Sequence, residues 1–174
     1  MKGIVADCLK KLVAENFGIE KWTKIMKMSG LNPDKSYAIT DDVDDELILK
    51  LFDNTCQVSG LSFEQACDVF GKYWVGSYIP KRYPDFYTDV KSVKEFLLKL
   101  DNIHSTMTKR LENAKPPKHS YKWKNENTLM MGYESNRDLI ELFIGAVKGA
   151  ARYFEDEIAV RKINRQEVEI DFIL

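Results

Sequence analysis

The sequence predicts an α+β fold in which a mainly helical N-terminal lobe, about residues 1–80, joins a C-terminal lobe, 81–174, with a four-stranded antiparallel sheet and two long helices. Two patterns predict it. Apolar residues recur every three or four positions through the first part of the chain, as in amphipathic helices. After Pro116 and Pro117 the apolar period changes to two, as in half-buried strands. A chain of 174 residues is long enough for one substantial core, so a single domain over 1–174 is expected.

Four helices are predicted in the N-terminal lobe. The first ends at Gly18, and a second, shorter helix follows it. Thr40 is the expected N-cap of a third helix with an acidic first turn. Ser62 and Gln65 form a capping box for a fourth helix, which is expected to stop before Pro80. The apolar faces of the first two helices carry Ile4, Val5, Cys8, Leu9, Leu12 and Val13, and then Trp22, Ile25 and Met26.

The C-terminal lobe is predicted to begin with a long helix and to continue with strands. Ser92 and Glu95 form a capping box at the start of this helix. Its apolar stripe includes a histidine and consists of Val93, Leu97, Leu100, His104, Met107 and Leu111. A polar turn over 124–127 separates a strand around Tyr121 from an extended strand over 129–137. A second long helix, about 138–154, precedes two alternating strands around 158–160 and 168–174.

Composition excludes several classes of protein. The chain has 26 Lys and Arg against 27 Asp and Glu and carries no basic block, so nucleic acid is not expected as a partner. Cys8, Cys56 and Cys67 are odd in number and far apart, which indicates neither a disulfide framework nor a zinc knuckle and favours a reducing, cytoplasmic setting. Charged residues interrupt the N-terminal apolar pattern, so a signal peptide is not predicted, and no apolar run approaches a membrane span.

His104 on the apolar stripe has two interpretations. A lone histidine on such a face is commonly a neutral core residue bonded to a nearby carbonyl. Zinc is disfavoured, because His119 is the only other histidine and structural zinc requires four protein ligands. Haem iron needs only one protein imidazole, since the porphyrin supplies four nitrogens.

The segment YESNR, 133–137, presents three hydrogen-bond donors. In an extended strand Tyr133, Ser135 and Arg137 point the same way, and together they suit carboxylates such as the two haem propionates. The alternative is that Arg137 pairs with an acid such as Asp45, while Tyr133 and Ser135 cap the following helix. A haem would also need an apolar slot, for which the first helix, the segment 74–78 and the segment 139–147 are candidates.

These segments together resemble the H-NOX family, the haem nitric oxide/oxygen-binding domains. The residues that carry the resemblance are MKG at the start, GKYWV (71–75), LDNIHSTM (100–107), NAKPP (113–117), YESNR and FIGAVKGAARYF (143–154). The resemblance implies that haem b, iron protoporphyrin IX, is the cofactor and His104 its proximal iron ligand. It also implies that Tyr133, Ser135 and Arg137 bind the propionates and that Pro117 presses on the porphyrin. The expected pocket wall consists of Ile4, Cys8, Trp74, Val75, Tyr78, Leu142 and Ala146.

The resemblance also suggests which gas is bound. Oxygen-binding members carry a tyrosine nine residues after the YxSxR tyrosine, and here that position is Leu142. The residues that usually complete the donor network correspond to Cys8 and Trp74. A sensor of NO, which also binds CO and discriminates against O2, is therefore implied. Oxygen binding with Tyr78 as the donor stays open as an alternative.

No enzymatic effector motif is present, so the chain is expected to be a non-enzymatic sensor. In the family, weakening of the iron–histidine bond relaxes the porphyrin and rotates the lobes. Stand-alone bacterial members act on a separate histidine kinase or cyclic-di-GMP enzyme, which are the implied partners. A haem-free interaction adaptor is the alternative from another class, and peroxidase-like catalysis is disfavoured for lack of a distal acid–base pair.

Overall fold

The computed structural model describes residues 1–109 and 111–173, which form eight α-helices and one four-stranded sheet. The α+β fold class predicted from the sequence is confirmed. The helices are α1 (Gly3–Phe17), α2 (Ile19–Met28), α3 (Asp45–Ser59), α4 (Phe63–Tyr73), α5 (Ile79–Arg82), α6 (Val93–Leu98), α7 (Leu100–Thr108) and α8 (Ile140–Phe154). The strands are β1 (Lys118–Trp123), β2 (Thr128–Glu134), β3 (Glu157–Lys162) and β4 (Glu167–Ile173).

The described residues divide into two compact units. The first contains Met1–Ala66 and Leu111–Lys115, and the second contains the other described residues from Cys67 onward. The sequence placed a division between lobes near residue 80, and its single domain over 1–174 stays a prediction. No helix in the described ranges is long and apolar enough to cross a membrane.

The first unit is a helical core around α1, α2 and α3. Its best-buried side chains include Leu9, Val13, Trp22, Ile25, Met26, Ile48 and Leu51. The N-cap of α3 is Asp44, whose carboxylate accepts from the Glu46 amide at 2.8 Å, so the prediction of Thr40 as N-cap was wrong. The intervening segment bonds to the chain start instead, since the Val43 amide donates to the Met1 carbonyl at 2.8 Å.

The helical run that begins with α4 continues past a proline. The capping box between Ser62 and Gln65 is confirmed by reciprocal bonds of 2.9 and 3.2 Å. After α4 the run passes through a π-helical turn, Trp74–Tyr78, into α5. The expected stop before Pro80 is therefore wrong. Pro80 lies in the first turn of α5, where its missing amide is tolerated.

A tyrosine compensates for that missing amide. In a π-helix the carbonyl of Val75 would accept from the amide five residues later, which in this chain is the imino nitrogen of Pro80 and has no hydrogen. The Tyr87 hydroxyl donates to the Val75 carbonyl instead, at 2.8 Å. The Tyr87 hydroxyl thus satisfies the buried Val75 carbonyl.

The helix that carries His104 is divided into two. Ser92 caps α6 as predicted, accepting from the Glu95 amide at 3.2 Å. The chain then tightens at Lys99, whose amide donates to the Phe96 carbonyl three residues earlier at 3.0 Å. The long helix predicted from Ser92 is consequently wrong, and His104 lies on the short helix α7.

The sheet is antiparallel throughout, with strand order β1-β2-β4-β3. One face of the sheet is buried, and its side chains include Leu129, Met131, Val168 and Ile170. Helix α8 begins at Ile140, two residues after the predicted start. Its Gly145 meets Gly71 of α4 so closely that a Cβ on Gly71 would lie 2.2 Å from the Gly145 carbonyl carbon.

Candidate functional site

His104 of α7 has a buried ring nitrogen that no described residue satisfies. Its Nδ1 has no hydrogen-bond partner among the described residues. Burial, followed by the nearby His119, lowers the pKa of His104 to about 4, while the charge of Asp101 and a hydrogen bond with the Pro117 backbone oppose that decrease. The ring is therefore neutral at pH 7 and keeps a lone pair that can ligate a metal. The ring also has a hydrogen bond with the Pro117 backbone, the contact expected of a core histidine, while its Nδ1 has no partner among the described residues.

A second imidazole lies beside it. His119 is on β1, its side chain is 1% exposed, and its ring centroid is 5.4 Å from that of His104. The His119 Nδ1 is 2.9 Å from a carboxylate oxygen of Asp101, which lies on α7. Burial lowers the pKa of His119, and the hydrogen bond and charge of Asp101 oppose this. The two histidines therefore meet because β1 packs against α7.

Aromatic rings continue from His119 towards the YESNR segment. The Phe143 ring of α8 stacks on His119 at 5.3 Å and on Tyr133 at 5.2 Å between centroids. His119 and Tyr133 are also cross-strand partners in the β1–β2 register. Helix α8 thus covers the end of the sheet from which Tyr133 projects.

The three predicted donors converge, although not on one strand. Strand β2 ends at Glu134, so the extended strand predicted through Arg137 is wrong, and Ser135 and Arg137 lie in the following turn. The Arg137 amide donates to the Ser135 hydroxyl at 3.3 Å. Burial raises the pKa of Tyr133, while a hydrogen bond from Ser135 and the charge of Arg137 lower it, so Ser135 bonds to the phenol and Arg137 acts on it through its charge. The turn therefore achieves the clustering that strand alternation was expected to give.

These residues do not cap the next helix. The N-cap of α8 is Leu139, which makes no side-chain capping hydrogen bond. The alternative that Tyr133 and Ser135 serve only to begin α8 is therefore wrong.

The predicted wall residues of the second unit lie on two helical segments. Val75 and Tyr78 are 6% and 5% exposed, and the Trp74 and Tyr78 rings stack at 5.6 Å. The Arg82 guanidinium lies over the Tyr78 ring at 5.1 Å. Leu142 and Ala146 are half-buried on α8, one helical turn apart.

The predicted wall residues of the first unit are both on α1. Ile4 is 5% exposed and Cys8 is fully buried. They share one face of that helix, as the apolar periodicity predicted.

The donor set of the second unit fits a haem. One neutral imidazole with an unpartnered nitrogen suits an axial iron ligand. Hydroxyls and a guanidinium suit carboxylates, and Arg binds these bidentately. The Phe143 ring, which stacks on His119 and Tyr133, suits the apolar porphyrin.

Comparison with known proteins decides the family. A model of the Haem-NO-binding family, HNOB, matches residues 2–162. The chain belongs to the Haem-NO-binding family. This family binds haem, and the resemblance stated from the motifs is confirmed.

Individual relatives agree with this assignment. Soluble guanylate cyclase gcy-33 of Caenorhabditis elegans is 23% identical over 170 residues, which is 96% of this chain but 18% of the relative. The chain thus spans less than a fifth of that curated relative. An oxygen-binding H-NOX domain, solved in its oxygen complex, matches with a TM-score of 0.85 at 22% identity, over 99% of this chain and 95% of that one. A mutant of the Cs H-NOX domain matches with a TM-score of 0.89 at 22% identity, over 99% and 96%.

Sequence reasoning missed two neighbours of His104 that the fold provides. Asp101 precedes His104 by one helical turn, a spacing that places both on one helix face. His119 shares the alternating inner face of β1 with Tyr121. Both signals were present locally, but only the packing of β1 on α7 shows that they belong together.

Proposed function

We propose that this chain is a haem-based gas sensor that binds NO and CO at five-coordinate ferrous haem b with His104 as the axial ligand. The observation that carries the proposal is the buried, unpartnered Nδ1 of His104 in a member of a haem-binding family. A neutral imidazole with a free lone pair is the form that binds iron. The low pKa of this ring, about 4, keeps it in that form across the physiological range.

Tyr133, Ser135 and Arg137 are proposed to hold the propionates. Their clustering beside Phe143 supports this role, since it combines donors with an aromatic surface. A hydrogen bond to a charged group contributes about 1.5–3 kcal/mol, so losing one weakens binding by roughly one to two orders of magnitude. Pro117, near the His104 ring, is proposed to press on the porphyrin. The proposed wall consists of Ile4, Cys8, Trp74, Val75, Tyr78, Leu142 and Ala146.

Discrimination against O2 is proposed to follow from the lack of a tyrosine at position 142. When bound, ferrous haem with one histidine supplies an open axial position for a diatomic ligand. Leu142, at the position where oxygen-binding members carry tyrosine, offers only hydrocarbon. Tyr78 is assigned to the wall, because its ring stacks on Trp74 and interacts with the Arg82 guanidinium. Residue 142 would then donate no hydrogen bond to a bound diatomic ligand, and O2 depends on such a bond more than NO does.

Signalling is proposed to use His104 as a tether. The ligand is on α7, whose connection to α6 is the tight turn at Lys99. A bond from this helix to the cofactor restrains α7, and weakening of the bond by NO releases it, which makes two states that a ligand can bias. The proposed output is lobe rotation read by a separate effector, a histidine kinase or a cyclic-di-GMP enzyme, with no catalysis by this chain.

The visible spectrum of the purified protein tests the proposal. A Soret band of five-coordinate ferrous haem that shifts with NO and CO but not with air is expected. His104→Gly should remove the native ligation, and added imidazole should restore it. A protein that takes up no added hemin, or ligation unchanged in His104→Gly, would contradict the proposal and favour the haem-free adaptor.

A further inference from the structure

We infer that His104, His119 and Asp101 form a second metal site, which binds a divalent transition ion such as Zn²⁺ in the haem-free protein. One ligand atom from each residue lies within 4.8 Å of the other two. The inference goes beyond the proposed haem function, because it adds two residues and a different metal. It requires no haem and stands on the second unit alone.

The separation of the two rings suits a shared ion. With Zn–N bonds of about 2.0–2.1 Å and tetrahedral angles, two imidazole centroids are expected about 5 Å apart. The His104 and His119 centroids are 5.4 Å apart. Small side-chain rotations therefore suffice to bring both nitrogens onto one metal.

Asp101 supplies the third ligand. Its carboxylate oxygen is 2.9 Å from the His119 Nδ1, close to the spacing of neighbouring ligands on a small cation. Binding replaces the hydrogen bond: the Nδ1 proton leaves to solvent, and the freed nitrogen and the carboxylate oxygen both bind the ion. Three protein ligands with water as the fourth is the arrangement of open zinc sites.

The burial of the three residues gives the site both affinity and access. The His119 side chain is 1% exposed, and His104 Nδ1 is buried without a partner among the described residues. Ligation would give a partner to a buried nitrogen that has none among the described residues. The Asp101 side chain is 48% exposed and so provides the path by which an ion enters.

The sequence did not predict this metal site. Only two histidines exist, and they are far apart along the chain. The argument against zinc applied to a closed structural site with four protein ligands, and Asp101 was not among the residues considered. The packing of β1 on α7 makes an open site from three residues.

One consequence rests on the proposed function. If His104 is also the iron ligand, the ion and haem exclude each other. An ion at ten times its dissociation constant then weakens haem binding about tenfold by linkage. Haem uptake would in this way depend on free transition metal.

Titration of the full chain, prepared without haem, with Co²⁺ tests the inference. Co²⁺ is expected to give visible ligand-field bands that Zn²⁺ abolishes, at one ion per chain. His119→Gln keeps a polar side chain but loses the imidazole. It should lower the affinity for Co²⁺ by about 100-fold, while haem still binds. Asp101→Asn should lower the affinity for Co²⁺ by about tenfold or more. Asp89→Asn, an exposed aspartate elsewhere in the unit, is the matched control and should bind as the parent does.

The outcomes separate this inference from the haem proposal. No Co²⁺ bands, or equal Co²⁺ affinity in His119→Gln and the parent, overturns the metal site even if haem binds normally. Haem uptake by His119→Gln also reports that the variant folds. A parent protein that binds Co²⁺ but no haem keeps this inference and overturns the proposed function.

Discussion

His104 and His119 show how much depends on single residues in this protein. Each is an ordinary half-buried histidine on its own element, one on α7 and one on β1. Their rings lie 5.4 Å apart, and only His119 has a carboxylate partner, Asp101. The unequal environments leave one imidazole held in place and the other with a nitrogen available to a metal.

Replacing Arg137 should weaken haem retention. Arg137→Ala removes the positive charge beside Tyr133 and Ser135, so the rate of haem transfer to an excess of a haem-scavenging protein should rise by roughly 10–100-fold. Arg152→Ala, which removes an exposed arginine on α8, is the control and should transfer haem at the parent rate. Equal rates in Arg137→Ala and the parent would remove Arg137 from the propionate site.

Introducing a hydroxyl at position 142 should change gas selection. Leu142 is half-buried on α8, and Leu142→Tyr provides a donor that the proposed pocket lacks. The ferrous variant is expected to form an oxygen complex in air, visible as a shifted Soret band, because a buried donor adds about 1.5–3 kcal/mol. Leu142→Phe has similar bulk without the hydroxyl and should stay unliganded in air. An oxygen complex in the unmodified protein would instead favour Tyr78 as the donor.

At the scale of elements, the run from α4 to α5 contains a proline whose missing amide hydrogen is compensated by a tyrosine hydroxyl. A proline inside a helical segment removes a donor, and this segment has a π-helical turn at that place. The Tyr87 hydroxyl donates to the Val75 carbonyl, the acceptor left without its amide. Tyr87 comes from the segment after α5, so the compensation depends on the chain folding back.

Removing that hydroxyl should destabilise the π-helical turn. Tyr87→Phe leaves the buried Val75 carbonyl unsatisfied and should lower the free energy of unfolding by about 1–3 kcal/mol. Urea denaturation of the haem-free protein measures this. Tyr83→Phe, which changes a neighbouring less buried tyrosine, should have little effect. Equal midpoints for Tyr87→Phe and the parent would show that the bond contributes nothing to stability.

The close approach of α4 and α8 should not tolerate a methyl group. A Cβ on Gly71 would lie 2.2 Å from backbone atoms of Gly145, so Gly71→Ala forces the helices apart and should cost about 1–3 kcal/mol or more. A Cβ on Gly76 meets its nearest atom, the Gly149 carbonyl oxygen, at 3.3 Å, and Gly76→Ala is the milder control. Thermal unfolding should rank parent, Gly76→Ala and Gly71→Ala in falling order. A Gly71→Ala protein as stable as the parent would contradict this packing.

At the scale of the whole molecule, the proposed signal is a change in the restraint on α7. With His104 bound to iron, NO should speed amide hydrogen exchange in α7 by roughly 5–150-fold, the range of typical allosteric coupling. His104→Gly with added imidazole binds the cofactor without tethering the helix, and NO should leave its α7 exchange unchanged. An equal NO response in both proteins would show that the signal does not pass through His104.

The sequence by itself determined the fold class, most elements and the family. Helix and strand periods, capping boxes and motif order are encoded within short stretches, so they are legible before folding. The same locality explains the errors. Thr40 has a side chain suited to an N-cap, but Asp44 caps α3, because residues 41–43 bond to the start of the chain. Strand β2 ends at Glu134, before the predicted end at Arg137, and in the turn that follows the Arg137 amide donates to the Ser135 hydroxyl.

Only the tertiary structure decided what surrounds His104. His119 comes from β1 and stacks on Phe143 of α8, whereas His104 and Asp101 are on α7, and no sequence pattern spans those three elements. Their proximity arises from long-range packing, which buries one ring nitrogen without a partner and lowers the pKa of His104. Burial and neighbouring charge depend on atoms distant in the chain, and these properties set what an imidazole can bind.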